Sequence, residues 1–412
     1  MTQTLTTDVL IIGGGLSGLA LAGVLGESGV NVVCVDHAPP VTQLSDHYDA
    51  RCTALSWATH KVLEAAGAWQ SIAPHAEPMH DIRVADGDAP LFLHFAANAD
   101  GNGEPFGWNL ENQVLRKCLF DNIRRLEKYV THLAPVEITA FFHDKNSAGC
   151  TLKDGRRISA SLMIGADGRN SAVRAWLGIK THTTDYKQRA IVCNIAHEKH
   201  HENVAVEHFL PAGPFALIPL TDDKNGTHRS SVIWTVEEKD AEKIAALPAE
   251  KFDAALQDLC GPHLGKVRHV SPPRSYPLSL MHADTYTAPR VALMAEAAHV
   301  IHPIAGQGLN LGMRDVALLG TLVTQHLRTG LDIGSMILLN EYENTRRTDT
   351  RLMAGFTDIL NRLFSNHMQT VKAVRVLGLG IVQKSAVLKA FFARQAMGDG
   401  GMKAPARRKK HS

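Results

Sequence analysis

The chain has 412 residues and a mass of 44.8 kDa, with 45% hydrophobic, 20% charged and 6% aromatic residues. That balance buries a large core and excludes a wholly disordered chain, while the length exceeds the roughly 250–300 residues one core serves, so two lobes are expected. Forty-three basic against 41 acidic side chains leave +2, too balanced for a general nucleic-acid binder, and no apolar run approaches the roughly 18 residues of a membrane span. Met1–Asp8 has no basic n-region or apolar core, and the six cysteines lie far apart without a CxxC pair. Reduced structural thiols in a cytoplasmic protein are expected.

In chain order, Asp8-Val-Leu-Ile-Ile12 comes first, too short a run for a helix, and reads as a buried parallel strand. Leu16, Leu19, Ala20, Val24 and Leu25 follow at helical spacing until Gly29 closes the helix, and Asn31–Val35 reads as a second buried strand. Between the first strand and the helix stands Gly13-Gly-Gly-Leu-Ser-Gly18, a GxGxxG in the context it requires. Gly13 permits the tight turn, Gly15 lets backbone approach a pyrophosphate, and Gly18 lets the helix pack on the sheet. Asp36 ends the second strand, where a carboxylate accepts hydrogen bonds from ribose hydroxyls. This fingerprint alone does not separate FAD from NAD.

Leu162–Arg174 contains another apolar strand, ending at Asp167-Gly168 with Ser171 and Arg174 beyond. From about Gln188 to Pro273 the character changes to short β-rich pieces, such as Phe215–Leu220 and Ser231–Val236, separated by polar turns like Asp222–Gly226. These predict an antiparallel sheet in a second lobe. His197, His200, His201 and His208 alternate there with Glu198, Lys199, Glu202 and Asn203, which reads as a solvated loop, and no metal is expected. Arg290–Met294 returns to a buried strand, and Gly308–Arg328 reads as a long amphipathic helix beginning near Leu309. Before it, Pro303 forces an extended entry while Gly306 and Gly308 remove side chains. A flat ring carrying negative charge when reduced is stabilised at such a helix start. Residues 370–397 mix apolar and basic side chains, with Arg407, Arg408, Lys409 and Lys410 after them. That composition fits an interfacial segment or, equally, a packing helix with a solvated tail.

The GxGxxG, the segment Gly165-Ala-Asp-Gly-Arg-Asn-Ser-Ala-Val-Arg174 and the segment Ala297-Ala-His299…His302-Pro-Ile-Ala-Gly-Gln-Gly-Leu-Asn-Leu-Gly-Met-Arg-Asp315 together resemble the flavin-dependent aromatic hydroxylases, the class A monooxygenases. Within them the chain is most similar to the UbiH/VisC-type ring hydroxylases of ubiquinone biosynthesis. Supporting stretches are Arg51–Leu55, Trp108–Leu115, Phe209–Leu220 and Tyr276–Leu278, and the likeness runs from about residue 7 to residue 365. It implies an α/β fold with a Rossmann-like FAD-binding domain interrupted by an antiparallel substrate domain and followed by C-terminal helices. The expected division is residues 1–75, 106–185 and 276–365 for FAD, 76–105 and 186–275 for substrate, and 366–412 for C-terminal helices and a basic tail.

The resemblance also assigns roles. Gly13, Gly15, Gly18 and Asp36 would hold the ADP half of FAD; Arg51 and Gln113 match positions that contact the cofactor. Asp167 would lie near pyrophosphate, and Gly306, Gln307, Gly308 and Asn310 would line the isoalloxazine. One departure stands out: the family has Gly-Asp where this chain has Ala295-Glu296, which predicts weakened but retained FAD binding, with Glu296 taking the place of the ribityl-binding aspartate. The implied activity is hydroxylation of a polyprenyl-phenol ring through a flavin C4a-hydroperoxide, with NAD(P)H or another reductant as transient donor. No catalytic acid or base is identified. Expected partners are the polyprenyl-phenol, the inner face of the membrane through the C-terminal segment, and other ubiquinone-biosynthesis proteins. A soluble hydroxylase of a small aromatic acid, and a non-catalytic assembly partner with a degraded flavin site, are the alternatives; the absorbance of the purified protein separates the last from an enzyme.

Overall fold

Five apolar runs pair in parallel to build the centre of the fold, in the order Val291–Leu293, Arg157–Gly165, Thr4–Ile12, Val32–Val35 and Val130–Leu133. The computed structural model describes residues 4–45, 49, 51–86, 92–97, 104–302 and 306–364. The strands read as continuous hydrophobic stretches because both faces of the sheet are covered, and Val9, Leu10 and Ile11 are fully buried. Their register puts Leu293, Gly165, Ile12, Val35 and Leu133 in a single row. Antiparallel strands Ala148–Leu152 and Ile138–His143 extend the sheet beside the first half of Arg157–Gly165.

Helix Leu16–Glu27 covers one face and stops where expected, since Gly29 takes φ +83°. The N–H groups of Gly29 and Val30 then return to the carbonyls of Gly26 and Leu25, which satisfies the helix end. Helix Gln307–Arg328, which starts two residues before Leu309, lies against it. A Cβ on Gly312 would sit 3.0 Å from Ser17 Oγ, and one on Gly320 would sit 2.6 Å from Val24. Contacts advance in step along both chains, so the helices run parallel and present their N-termini at the same end.

The second sheet has nine strands and is antiparallel except where Val204–Leu210 pairs with Asp81–Asp86. Two of its strands are long, Thr181–His197 and Arg274–Ala283, and their ladder passes a bulge at Asp185/Gln188 without breaking. The sheet therefore continues across residues 185/186 and 275/276, because a hydrogen-bonded ladder has no reason to stop where composition changes. A three-stranded sheet, Cys52–Ser56, Gly107–Glu111 and Glu77–Met79, joins the two lobes. Asn109 Nδ2 donates across the junction to Pro219 O at 2.8 Å and Ser231 Oγ at 3.0 Å.

The histidine-rich stretch needs correction. His197 and His201 are buried rather than solvated, because the ladder pairs His197 with His228 and carries the chain inward. His197 Nε2 meets Ser230 Oγ at 3.0 Å and His201 Nε2 meets Leu220 O at 3.1 Å. Glu77, His200 and His201 lie close enough to share an ion, but His201 Nδ1 also accepts the Asn203 N–H, so both its nitrogens are engaged. Among the described residues no helix is long and apolar enough to cross a membrane. The basic-apolar segment 366–412 lies outside the described residues.

Candidate active site

Four of the segments singled out in the sequence follow the single row of strand ends, so they converge. Gly13 comes directly after Ile12, Asp36 after Val35, Ala166-Asp167 after Gly165, and Met294-Ala295-Glu296 after Leu293. Carboxyl ends of parallel strands are where open α/β sheets bind ligands. Gly13 takes φ +112°, and a Cβ there would strike the Ala166 carbonyl oxygen at 2.3 Å. A Cβ on Gly18 would lie 2.0 Å from the Gly13 oxygen. Gly15 differs: a Cβ there meets nothing within 4 Å. It caps helix Leu16–Glu27, and no side chain caps the free N–H groups. Asp36 fastens the turn, accepting the Gly14 N–H at 2.6 Å and the Ala38 N–H at 2.8 Å. Beside them His132 Nε2 is buried without a partner, and burial holds the imidazole below its usual pKa despite nearby Asp36.

Asp167 orders its own turn rather than standing free. It accepts Ser171 Oγ–H at 2.6 Å and the Val173 N–H at 3.1 Å. Arg174 then donates to Ala297 O at 2.8 Å, tying this turn to the one at Ala295–Ala297. In that turn Ala295 adopts φ +51°, a left-handed conformation that disfavours a Cβ, and Glu296 is exposed.

The second glycine loop ends at Gly306, with φ +64°. Helix Gln307–Arg328 follows it, also without a side-chain cap, and a Cβ on Gly308 meets nothing within 4 Å. Asn310 commits all its polar capacity to protein groups. Its Oδ1 accepts Ser56 N–H at 2.9 Å and Thr59 Oγ1–H at 2.7 Å, while Nδ2 donates to Ala54 O and Gly306 O at 2.9 and 3.1 Å. Gln307 is buried at the helix start. His302 is buried, among the described residues neither ring nitrogen has a hydrogen-bond partner, and burial lowers its pKa to about 4, so it is neutral.

Arg51 pairs with Asp49, Nε to Oδ1 at 2.8 Å and Nη2 to Oδ2 at 2.9 Å, and lies over the Tyr276 ring at 5.3 Å. Burial would raise the Asp49 carboxyl, but Arg51 outweighs it and holds it below the usual range. Asn112 Nδ2 donates to the same carboxylate at 3.0 Å, while its neighbour Gln113 donates to Leu44 O at 2.6 Å. Arg51 and Gln113 thus sit on elements packed beside the glycine turns, each already oriented by a protein partner.

Two uncapped helix N-termini side by side, each before open space, form a site for an extended ligand carrying phosphates at one end and an anionic ring at the other. The sequence matches the FAD binding domain family over residues 6–357. The chain belongs to that family, as an FAD-dependent aromatic-ring hydroxylase. The hydroxylase is 46% identical over 391 residues to the ubiquinone hydroxylase UbiL of Rhodospirillum rubrum, covering 95% of this chain and 89% of the relative. It is 30% identical over 394 residues to the 3-demethoxyubiquinol 3-hydroxylase of Escherichia coli, covering 95% and 98%. In fold it resembles the p-nitrophenol 4-monooxygenase PnpA of Pseudomonas putida, with TM-score 0.77, 19% identity and coverage of 96% and 99%. PqsL of Pseudomonas aeruginosa in complex with 2-aminobenzoylacetate gives TM-score 0.75 at 24% identity, covering 87% and 97%.

FAD fits these residues. The space before Gly15 and Gly308 is what a Cβ would fill, and the orphan His132 nitrogen lies beside the dinucleotide turn. Sequence reasoning overlooked Asp315 and Arg346. Asp315 is fully buried, and Oδ2 accepts the Ala295 N–H at 2.7 Å and meets His299 Nε2 at 2.8 Å. Arg346 Nε, from helix Met336–Phe364, donates to Oδ1 at 2.5 Å. Burial would raise this carboxyl, but His299 and Arg346 bring it down to about 2. Asp315 closes the recognised glycine-loop motif, which was a signal; Arg346 and Asp49 carry none.

Proposed function

We propose that this FAD-dependent monooxygenase hydroxylates the aromatic ring of a polyprenyl-phenol on the way to ubiquinone. The observation that carries the reading is the end-to-end likeness to a ubiquinone hydroxylase, at 46% identity over 95% of the chain. In this reading Gly13, Gly15, Gly18 and Asp36 would hold the ADP half of the cofactor, with Asp167 near the pyrophosphate. Arg51, Gln113 and Glu296 would meet its central portion, and Gly306, Gln307, Gly308 and Asn310 would shape the space for its ring. When bound, the flavin supplies activation of O₂ for transfer of one oxygen atom.

The chain's own residues prepare that chemistry. The N–H groups ahead of Gln307–Arg328 stabilise negative charge on the ring. Asn310 holds Gly306 against Ala54, so the start of the helix is set before cofactor arrives. His302, neutral and buried, adds no competing charge. NAD(P)H or another reductant would dock transiently, because the chain carries one dinucleotide fingerprint. Peripheral contact with the membrane and with other proteins of the pathway belongs to the same proposal. The test is twofold. Purified protein should show oxidised-flavin absorbance, and a deletion strain should accumulate a prenyl-phenol lacking one ring hydroxyl, identified by mass spectrometry. A flavin-free protein with no accumulated intermediate overturns the reading.

A further inference from the structure

The nine-stranded sheet has two unlike faces. One carries Ile191, Cys193, Phe215, Leu217 and Val232, and helix Ala249–Cys260 seals it with Phe252 and Leu256. The other carries Ala205, Ala216, Ile218 and Ile233 and packs with Met79 and Ala54. Ala54 is the residue that Asn310 ties to Gly306, so this second face looks toward the glycine loop. Ile233 also belongs to a neighbouring apolar cluster with Val192, Leu278 and Tyr276, and the Tyr276 ring lies under Arg51.

A carboxyl stands on that apolar face. Glu207 pairs with Ala216 on one side and Val84 on the other, and Ala216 pairs in turn with Ile233. Directly paired residues share a face, with Cβ atoms about 4.5–5.5 Å apart, so Glu207 leaves the sheet where Ala216 and Ile233 do. It is half-buried, and among the described residues no hydrogen bond or ion pair reaches its carboxyl. Its directly paired and flanking neighbours on this face, Ala205, Phe209, Ala216, Ile218, Ile82 and Val84, are uncharged, and the charged side chain nearest to it along this face is the acid Asp86, diagonal to it. Arg83 and His208 alternate to the opposite face, Asp86 occupies the register position opposite Phe209, and Arg274 stands at the far end of the row through Val192. Burial alone raises Glu207 to about 7. A half-buried carboxyl on an apolar face with no protein partner keeps its acceptor oxygens for water or for a ligand that enters this face.

We propose that Glu207 receives the phenolic hydroxyl of the substrate, first as hydrogen-bond acceptor and then as the base that takes its proton. The inference rests on the ring-hydroxylase reading above. The phenol O–H bond breaks, its electron pair stays on oxygen, and a carboxylic O–H bond forms on Glu207. No electrons enter or leave in this step. The resulting phenolate pushes density to the ring carbons ortho and para to it, the positions an electrophilic oxygen attacks. A substrate whose only ring oxygen is a methyl ether has no proton to give, so the site selects phenols with a free hydroxyl.

The test uses holoenzyme with 2-prenylphenol as probe and flavin photoreduced with EDTA as the sacrificial electron donor, so that no nicotinamide is involved. Wild type, Glu207→Gln and Glu207→Ala are mixed with O₂ in single turnover across pH 5.5 to 10, after flavin content and melting temperature confirm intact folding. Wild-type hydroxylation should rise as pH passes through about 7, where the carboxyl becomes a base. Glu207→Gln keeps the shape and removes the base, so its rate at pH 8 should fall about a hundred- to thousandfold. It should recover only as pH approaches the phenol's own pKa, about 10. A glutamine variant with wild-type rate and pH profile overturns the proposal and leaves the hydroxylase reading standing. Wild-type holoenzyme that hydroxylates no prenyl-phenol overturns both.

Discussion

Asp315 holds Ala295: its Oδ2 accepts the Ala295 backbone N–H at 2.7 Å, and the Ala295–Ala297 turn is thereby fixed to the helix that starts at Gln307. The same carboxylate meets His299 and Arg346, so one buried charge joins the end of a central strand, the glycine-loop helix and the long helix Met336–Phe364. Arg346 also pairs with Asp349, which in turn accepts Arg314 Nη1 at 2.9 Å. The Ala295–Ala297 turn and the glycine-loop helix are both held by this knot.

Replacing Asp315 with Asn should therefore do more than remove one contact. It takes from the buried Arg346 guanidinium one of its two carboxylates and leaves it Asp349, so the loss should approach that of a broken buried pair, about 3–5 kcal/mol. Urea unfolding should show that loss, and residual folded protein should bind FAD weakly. A midpoint within error of wild type would mean Asp349 compensates fully.

Acid should act through the same group. The folded-state pKa of Asp315 is depressed from 3.8 to about 2, so its contribution is present above about pH 4 and disappears as pH falls to about 2. The shift corresponds to roughly 2 kcal/mol. Stability measured from pH 5 to pH 2 should fall more steeply in wild type than in Asp315→Asn; parallel curves would exclude the link.

Ala295 at φ +51° occupies a glycine position. Ala295→Gly should stabilise the protein by about 0.5–1 kcal/mol, the left-handed penalty less the greater freedom of unfolded glycine. Adding Glu296→Asp should restore the usual carboxylate reach and tighten FAD about tenfold in flavin titrations of apo-protein. Equal dissociation constants would show that the exposed glutamate serves as well as aspartate.

The glycines of the first turn should separate by mechanism. Gly15 has φ −73° and open space around its missing Cβ, so Gly15→Val should fold with wild-type circular dichroism and bind no FAD. Gly13→Ala forces a Cβ to 2.3 Å from the Ala166 oxygen at φ +112°, and should lose stability with or without cofactor. Stoichiometric flavin in purified Gly15→Val would refute the dinucleotide assignment.

Asn310→Ala removes four hydrogen bonds and takes from the buried Ser56 N–H its Asn310 acceptor. A loss of about 3 kcal/mol is expected by thermal or urea unfolding, together with weaker flavin retention. A change confined to flavin, with stability intact, would instead mean that Asn310 acts by touching the cofactor.

The amino-acid sequence determined the local parts on its own, because local parts follow from short-range rules. A run such as Asp8–Ile12 is too short and too apolar to be anything but a buried strand, and GxGxxG after it demands a turn that other residues cannot make. The order and spacing of those motifs were enough to identify the ring-hydroxylase family. Which side chains meet was decided only by the tertiary structure. Register places Gly165 between Ile12 and Leu293, and so brings Asp167 beside Gly13 from 154 residues away and Glu296 to the next strand end beyond it. Asn310 spends hydrogen bonds on strand Cys52–Ser56; His197, expected in solvent, is drawn into a ladder, and His201 is buried beside it. Arg346 and Glu207 carry no motif at all, since a residue's burial and partners depend on what packs against it, and that is a property of the whole chain's pairing rather than of any window along it.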